Sequence, residues 1–216
     1  MTDELQALYL SAERRWMQGW LDGPTLVGDP LRRGDHAPEV EVSATDGSPV
    51  MLSSLWASGP GLVLLWRQLG CGCGLERAER LRDEYEGYVD AGLNVAIIAP
   101  GEIERVAAYR EKYGLPTTML ADPGYQTHRA FGLGHWSVEQ ALYDAPEEFC
   151  ELREDTGIAF QADRRSQGRP LVDDPWMQSG EFVVAPDGTI RVAYVYNYCA
   201  DYPDPRLFTT AARLAG

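Results

Sequence analysis

GLVLLWRQLGCGCGLERAERL, residues 61–81, joins an apolar run to a glycine-flanked pair of cysteines and then to a charged pattern with helical spacing. The short run GLVLLW, bounded by glycine, is typical of a buried central strand. Apolar side chains recur at helical spacing over residues 74–90, which predicts a helix that starts at Gly74. The sequence therefore predicts that Cys71 and Cys73 lie where a strand is followed by a helix.

This junction favours a reactive thiol, because the thiolate is the reacting form of cysteine. A helix N-terminus offers free N–H groups and about half a positive charge, which lower the pKa of a thiol there. We expect Gly70, Gly72 and Gly74 to let the backbone bend sharply and approach a substrate closely. Arg67, four residues before Cys71, either stabilises a thiolate or binds a peroxide oxygen, or it is a solvated charge at a strand end.

Two thiols separated by one residue indicate a redox pair. A Cys-x-Cys disulfide closes a small, strained ring, which makes it labile rather than structural. We therefore expect Cys71 to attack the substrate and Cys73 to resolve the product as a disulfide. The reverse assignment stays open, and so does a structural role as two buried thiols at a tight turn.

The other two cysteines are distant in the sequence. Cys199 follows the last predicted strand, and we expect either an isolated thiol or a second resolving thiol. Cys150 stands in the charged segment PEEFCEL. It would serve as a distant resolving thiol only if that segment folds over the site.

Metal binding is the main rival chemistry for the cysteine pair. Two thiolates with His36, His128 or His135 would suit copper or zinc, which gives a thiolate metal carrier as one hypothesis. The sequence lacks paired Cys-x-x-Cys motifs and His-x3–5-His spacing. We therefore expect no metal site and no other cofactor.

The remaining patterns predict one α/β domain with an extension and an insertion. Residues 1–33 are expected to form an N-terminal helix and a linker, and residues 34–216 a single domain with an irregular insertion at about 134–179. The expected strands and helices alternate in the middle of the chain, which favours parallel strands. The expected strands are residues 40–44, 48–52, 61–66, 93–99, 117–122 and a hairpin over 182–195, and the expected helices are residues 3–21, 74–90, 102–113, 124–133 and 204–215.

Composition limits the classes of partner. The chain has 216 residues and a net charge of −14, so its surface repels nucleic-acid backbones and anionic membranes. No apolar run is long enough to suggest a membrane span, and the N-terminus lacks the features of a signal peptide. We expect a cytoplasmic protein, in which thiols stay reduced by default.

Three blocks of sequence resemble one family in the same order. They are GDHAPEVEVSATDGSPVMLSSL, LVLLWRQLGCGCG and SGEFVVAPDGTIRVAYVYNYCADYPDP. The chain resembles the peroxiredoxin-like branch of the alkyl hydroperoxide reductase C/thiol-specific antioxidant (AhpC/TSA) superfamily. It differs from a typical peroxiredoxin at several positions. Where a threonine stands three residues before the reactive cysteine, this chain has Gln68 if Cys71 reacts or Gly70 if Cys73 reacts. Ser179 stands where an arginine opens the late strand, Gly180 at the usual cis-proline, and Cys-x-Cys where the branch often has Cys-x-x-Cys.

The resemblance implies a thioredoxin-like mixed sheet with helices on both faces. It also implies an antioxidant oxidoreductase that reduces a peroxide, a small disulfide or another small organic substrate, with an external dithiol such as a thioredoxin as reductant. The aromatic-rich insertion, from Trp136 to Trp176, would shape a substrate pocket. A non-catalytic binding or assembly module is the alternative, with the tryptophan stripe of the first helix, Trp16 and Trp20, as its interface. If it is not an interface, we expect the stripe to pack in the hydrophobic core. A homodimer is a separate expectation.

Overall fold

The computed structural model describes residues 2–214, and within them the chain forms one seven-stranded sheet and seven α-helices. The strands β1 to β7 are Glu41–Ala44, Pro49–Met51, Gly61–Leu65, Asn94–Ala99, Thr118–Ala121, Gly180–Val184 and Ile190–Val195. The helices α1 to α7 are Asp3–Asp22, Gly72–Asp90, Ile103–Tyr113, Gln126–Ala130, Val138–Ala141, Glu154–Ser166 and Pro205–Arg213. Residues 1, 215 and 216, which the predicted domains and closing helix include, lie outside the described residues.

The sheet is mixed, with the strand order β2-β1-β5-β4-β3-β6-β7. Strand β4 pairs in parallel with β3 and β5, and every other pairing is antiparallel in the described chain. The parallel pairs follow from the crossover helices α2 and α3, because a strand that returns through a helix enters the sheet in the same direction. The predicted fold class is confirmed, including the hairpin of β6 and β7.

Both faces of the sheet are buried, as the continuous apolar run of β3 predicts. Leu62 and Leu64 point into one core with α2, α3 and α7, whereas Val63 and Leu65 point into the other. This alternation is the period-two geometry of a strand. A short 3-10 helix, Leu52–Leu55, and residues that follow α4 cover the second face. The loop with Cys71 and Cys73 follows β3, which lies next to the central strand β4.

The tryptophan stripe of α1 belongs to a third core within this chain. Trp16 and Trp20 are each 1% exposed, their rings stack at 5.1 Å, and Trp20 stacks on Trp176 at 5.6 Å. The indole N–H of Trp176 donates to the carbonyl of Gly19 at 2.6 Å. The hypothesis that these tryptophans form an interface to a partner is wrong, because the insertion already covers them.

The insertion is not irregular throughout, contrary to the prediction for residues 134–179. It contains α5, a 3-10 helix and the 13-residue helix α6. Helix α6 packs on α1, where Arg165 pairs with Glu13 at 2.8 Å and the Gln161 amide donates to the Glu13 carbonyl at 2.8 Å. Its buried residues are Gly157 and Gln161, and Phe160 beside them packs against Trp16 and Trp20, so the apolar pattern of this face is weak. None of the helices within residues 2–214 is both long and apolar enough to cross a bilayer.

Candidate active site

The two thiols lie at the N-terminus of α2, on the loop that follows β3. Cys71 is the N-cap residue and Cys73 lies in the first turn, because α2 starts at Gly72, two residues earlier than predicted. The first N–H groups of a helix have no partner within the helix, and the helix dipole adds positive potential there. Both sulfurs therefore lie where negative charge is stabilised.

The sulfurs of Cys71 and Cys73 are joined in a disulfide, with 5.3 Å between their Cα atoms. That separation lies within the ordinary range for disulfides. Both residues are partly exposed rather than sealed in the core. The pair can thus exist in the oxidised form that the spacing predicted, and both residues remain open to solvent.

Arg67 is the cation next to the thiols. Its Nη2 lies 3.0 Å from Sγ of Cys71 and 3.6 Å from Sγ of Cys73. The residue is only 7% exposed, so the alternative of a solvated charge at a strand end is wrong. Burial lowers the pKa of Arg67, but an arginine keeps its charge at neutral pH. A fixed positive charge therefore faces the Cys71 sulfur.

Several neighbours fix the Arg67 guanidinium. Its Nη1 donates to the carbonyl of Pro175 at 2.6 Å, and its Cζ lies 5.2 Å from the ring centroid of Trp136. Gln68, also buried, accepts from the same Nη1 at 3.0 Å and donates to the Val172 carbonyl at 2.9 Å when its amide is oriented to suit its neighbours. Contacts with the insertion therefore fix the position of the Arg67 guanidinium next to the two sulfurs.

The three loop glycines differ in what they do. None has a positive φ, so the sharp bend does not require a conformation reserved for glycine. A Cβ on Gly70 would lie 2.0 Å from the carbonyl oxygen of Pro170, so only glycine fits there. Gly74 has room, since its nearest neighbour, the Gln68 carbonyl oxygen, would be 3.6 Å away. Gly72 borders two arginines, described below.

A cleft of about 380 Å³ opens beside the disulfide. The insertion and α1 supply most of its walls, which agrees with the expectation that the insertion shapes a pocket. Its apolar and aromatic lining includes Trp16, Trp20, Leu142, Phe160 and Leu171. The cleft is large enough for an organic molecule and much larger than a bound hydrogen peroxide needs.

A model of the AhpC/TSA family matches residues 33–193. The chain belongs to the AhpC/TSA family. The family predicted from the sequence is confirmed, and the disulfide loop lies inside the matched segment.

Known proteins agree with this membership. Peroxiredoxin Bcp of Escherichia coli (strain K12) is 29% identical over 117 residues, which cover 54% of this chain and 74% of the relative. The crystal structure of peroxidoxin BcpB from Mycobacterium tuberculosis matches with a TM-score of 0.60 at 14% identity, covering 84% of this chain and 96% of that one. A peroxiredoxin-like protein from Aquifex aeolicus also has a TM-score of 0.60, at 13% identity, covering 89% and 92%. The chain is a thiol-dependent oxidoreductase, as predicted.

Two arginines of this AhpC/TSA protein were not anticipated from the sequence. Nη1 of Arg169 and Nη1 of Arg164 lie 3.4 Å and 3.7 Å from the position that a Cβ of Gly72 would take. Both come from the end of α6 and the turn after it, more than ninety residues beyond the thiols. The cluster RRSQGR in an acidic chain was the available signal. Ser179, at the position of the usual family arginine, only accepts the Tyr196 N–H through its carbonyl, at 3.1 Å.

The structure separates the two remaining cysteines. Cys199 lines the same cleft as the disulfide. Burial raises the pKa of the Cys199 thiol and outweighs the opposing effect of Arg67. Tyr202 donates to the Cys73 carbonyl at 2.8 Å, which ties this segment to α2. Cys150 is exposed on the 3-10 helix Glu147–Glu151 and is not among the residues that line the cleft.

The three histidines are engaged elsewhere. His36 forms a backbone bridge with Thr189, and Nε2 of His135 lies 2.9 Å from a carboxylate oxygen of Asp174. Nε2 of His128 lies 3.1 Å from the carbonyl oxygen of Trp66, and burial lowers the pKa of His128 to about 4. Within residues 2–214 no group of three or more His, Cys, Asp or Glu side chains is arranged to hold a metal. The metal-carrier hypothesis gains no support from this part of the chain.

Proposed function

We propose that this protein reduces hydroperoxides, with Cys71 as the nucleophile, Cys73 as the resolving thiol and Arg67 as the residue that stabilises the thiolate. One observation carries the proposal: a buried arginine lies 3.0 Å from the sulfur of Cys71 at a helix N-terminus. A fixed cation and unpaired N–H groups both favour the thiolate. The names of the relatives, which are peroxiredoxins, agree with a peroxide as oxidant.

The proposed reaction consumes one peroxide and releases one alcohol and one water. The Cys71 thiolate attacks the outer oxygen of the hydroperoxide, the O–O bond breaks, and the departing alkoxide takes up a proton. Cys71 is then a sulfenic acid. The Cys73 thiol attacks the Cys71 sulfur, a disulfide forms, and the hydroxyl group leaves as water.

Distance favours Cys71 over Cys73 as the attacking thiol. The guanidinium nitrogen that faces both sulfurs is 0.6 Å nearer to Cys71, at 3.0 Å against 3.6 Å. As the N-cap residue, Cys71 also precedes the first helical turn, where the unpaired N–H groups point. Tyr202 donates a hydrogen bond to the Cys73 carbonyl and so fixes the backbone of Cys73. A fixed position suits a resolving thiol, which reacts only after the sulfenic acid has formed.

An external dithiol protein of the thioredoxin type would regenerate the enzyme. Its two thiols become a disulfide as the Cys71–Cys73 disulfide returns to two thiols, so the electrons balance. We assign Cys199 a secondary role at most, because burial raises the pKa of its thiol, and we assign none to Cys150. The cytoplasmic location, the homodimer and a small disulfide as an alternative substrate stay predictions.

Mass spectrometry after a single turnover tests the proposal. Fully reduced protein is mixed with one equivalent of hydrogen peroxide, and the digested products are compared with the untreated protein. We expect a loss of about 2 Da, the mass of two hydrogens, confined to the peptide with Cys71 and Cys73. The double variant Cys150→Ser/Cys199→Ser is the matched control and should give the same result. A disulfide that needs Cys150 or Cys199, or no reaction within minutes, would contradict the proposal.

A further inference from the structure

Arg67, Arg164 and Arg169 gather around the Cys71–Cys73 loop from two parts of the chain, Arg67 from the loop itself and the other two from the end of α6 and the turn after it. Arg67 and Arg164 line the cleft, and the guanidinium groups of Arg164 and Arg169 border Gly72 at its edge. In a chain with 33 acidic and 19 basic residues, arginines have many carboxylates with which to pair. Among the described residues none of these three forms an ion pair; their side-chain hydrogen-bond partners are Pro175, Gln68, the sulfurs of Cys71 and Cys73, and Gln167.

Two features indicate that this positive charge is unsatisfied. Nε of Arg67 and Nε of Arg164 are buried and have no hydrogen-bond partner, and the Arg67 side chain is more than nine-tenths buried. Burial and the nearby Arg169 both lower the pKa of Arg164. The guanidinium groups of Arg164 and Arg169 approach the same point beside Gly72, and an anion bound by both would offset their repulsion.

The acidic residues of the cleft do not cancel this charge. Glu76 lines the cleft, but it pairs with Arg80 at 3.0 Å. Asp144 attracts Arg164 without forming an ion pair. The cleft therefore keeps an excess of positive charge next to an apolar wall that includes Trp20, Phe160 and Leu171.

We propose that the cleft takes an organic hydroperoxide with a carboxylate group, which Arg164 and Arg169 bind while its apolar body lies against the aromatic wall. This inference rests on the proposed function and names the substrate class of that same site. The reaction is unchanged: the O–O bond breaks, Cys71 becomes a sulfenic acid, the alcohol leaves and the carboxylate is not altered. Guanidinium groups suit a carboxylate because their planar N–H donors match its two oxygens.

The test compares 4-carboxycumene hydroperoxide with cumene hydroperoxide, which differ only in the carboxylate. The rate at which each oxidises the reduced protein is measured by stopped-flow and divided by the hydrogen peroxide rate of the same variant. We expect the wild type to prefer the carboxylated peroxide by about tenfold, typical of one charge-assisted pair. The double variant Arg164→Gln/Arg169→Gln should lose this preference. Arg153→Gln, which alters an exposed arginine of the same insertion, should keep it.

The dependence of the preference on ionic strength provides a second test that needs no variant. Raising the ionic strength from about 0.02 M to 0.5 M should reduce the wild-type preference, because ions screen partly exposed charge pairs. Equal rates for the two peroxides, or a preference that survives in the double variant, would overturn the inference. A double variant that slows only re-reduction by the dithiol would also overturn it, since the arginines would then serve the reductant. Failure of hydrogen peroxide itself to oxidise Cys71 and Cys73 would instead overturn the proposed function.

Discussion

Hydrogen bonds fix both the guanidinium group and the backbone of Arg67. Tyr125 donates to the Arg67 carbonyl at 2.7 Å and accepts from the Asp174 N–H at 2.9 Å. The side chain meets Pro175 and Cys71 at its two terminal nitrogens. A side chain held in this way stays next to the sulfur without losing rotamer freedom at the moment of reaction.

Substitution of Arg67 by methionine should slow the first chemical step. Arg67→Met keeps the apolar stem but removes the charge beside Cys71, so the thiolate is less stabilised and the peroxide is less polarised. We expect the second-order rate constant with hydrogen peroxide to fall by about ten- to a hundredfold, which corresponds to the ~1.5–3 kcal/mol of a hydrogen bond to a charged group. Stopped-flow tryptophan fluorescence gives the rate. Arg153→Gln is the control and should change it by less than about twofold, and an unchanged rate in Arg67→Met would contradict the role of Arg67.

Sequence alone predicted the near half of this site and missed the far half. Cys71, Cys73 and Arg67 are close in the chain, so the spacing of a strand and a helix brings them together. Arg164 and Arg169 lie beside Gly72, between the two cysteines, only because the insertion folds back over the start of α2. No local pattern encodes a contact of that separation, whereas the loop residues alone were sufficient to propose Cys71 and Cys73 as the reactive pair.

Helix α6 connects the insertion to α1 through a face that combines Gly157, Gln161 and one large apolar side chain, Phe160, whose ring packs against Trp16 and Trp20. Gly157 lies against Trp20, where a Cβ would approach the indole to 2.8 Å. The segment was predicted as irregular because glycine and glutamine, rather than apolar side chains, occupy the buried positions beside Phe160. Its charges gave a weaker signal, with Glu154 and Asp155 in the first turn and Arg164 and Arg165 in the last, the order that the helix dipole favours.

A pair of glycine-to-alanine changes separates packing from helix propensity. Gly157→Ala should lower the free energy of unfolding by about 1–3 kcal/mol, because the added methyl group overpacks against Trp20. Gly87→Ala, in the exposed face of α2 with nothing within 4 Å of the new atom, should raise it by about 0.5–1 kcal/mol. Urea unfolding of both variants measures the difference. Stabilisation by Gly157→Ala would mean that α6 does not pack on α1 in this way.

Across the whole molecule, the mixed sheet and the burial of its central strands followed from patterns that span many residues. The apolar runs of β3 and β4 predicted central strands, and the turn around Pro186 and Gly188 predicted the hairpin of β6 and β7. What the sequence could not provide was the third core, in which α1 and the insertion share four tryptophans. These tryptophans are far apart in the sequence. A helical stripe of tryptophans has the same spacing whether it packs inside the chain or against another protein, so the sequence does not distinguish the two.

The buried His128 should make the stability of the whole fold depend on pH. Its pKa is about 4 in the folded protein, against an ordinary value of 6.5, because burial outweighs the attraction of Asp122. Between pH 6.5 and 4 the unfolded chain therefore binds a proton that the folded chain does not. The free energy of unfolding should fall as the pH falls through this window, by up to about 3 kcal/mol from this group.

Comparison with His128→Gln isolates that contribution, since the carboxylates titrate alike in both proteins. Chemical unfolding at pH 7, 6, 5 and 4.5 should show a smaller loss of stability in the variant than in the wild type. His36→Gln, at an exposed position, should follow the wild-type curve. Parallel curves for the wild type and His128→Gln would contradict the assignment of a neutral buried histidine.

The central claim is that Cys71 is a thiolate near neutral pH, and its own titration tests this most directly. In Cys73→Ser/Cys150→Ser/Cys199→Ser, Cys71 is the single thiol, and the pH dependence of its alkylation by iodoacetamide gives its pKa. We predict a pKa well below 8.5, the ordinary value for cysteine, that moves upward when Arg67→Met is added. A pKa at or above 8.5, unmoved by Arg67→Met, would contradict the account.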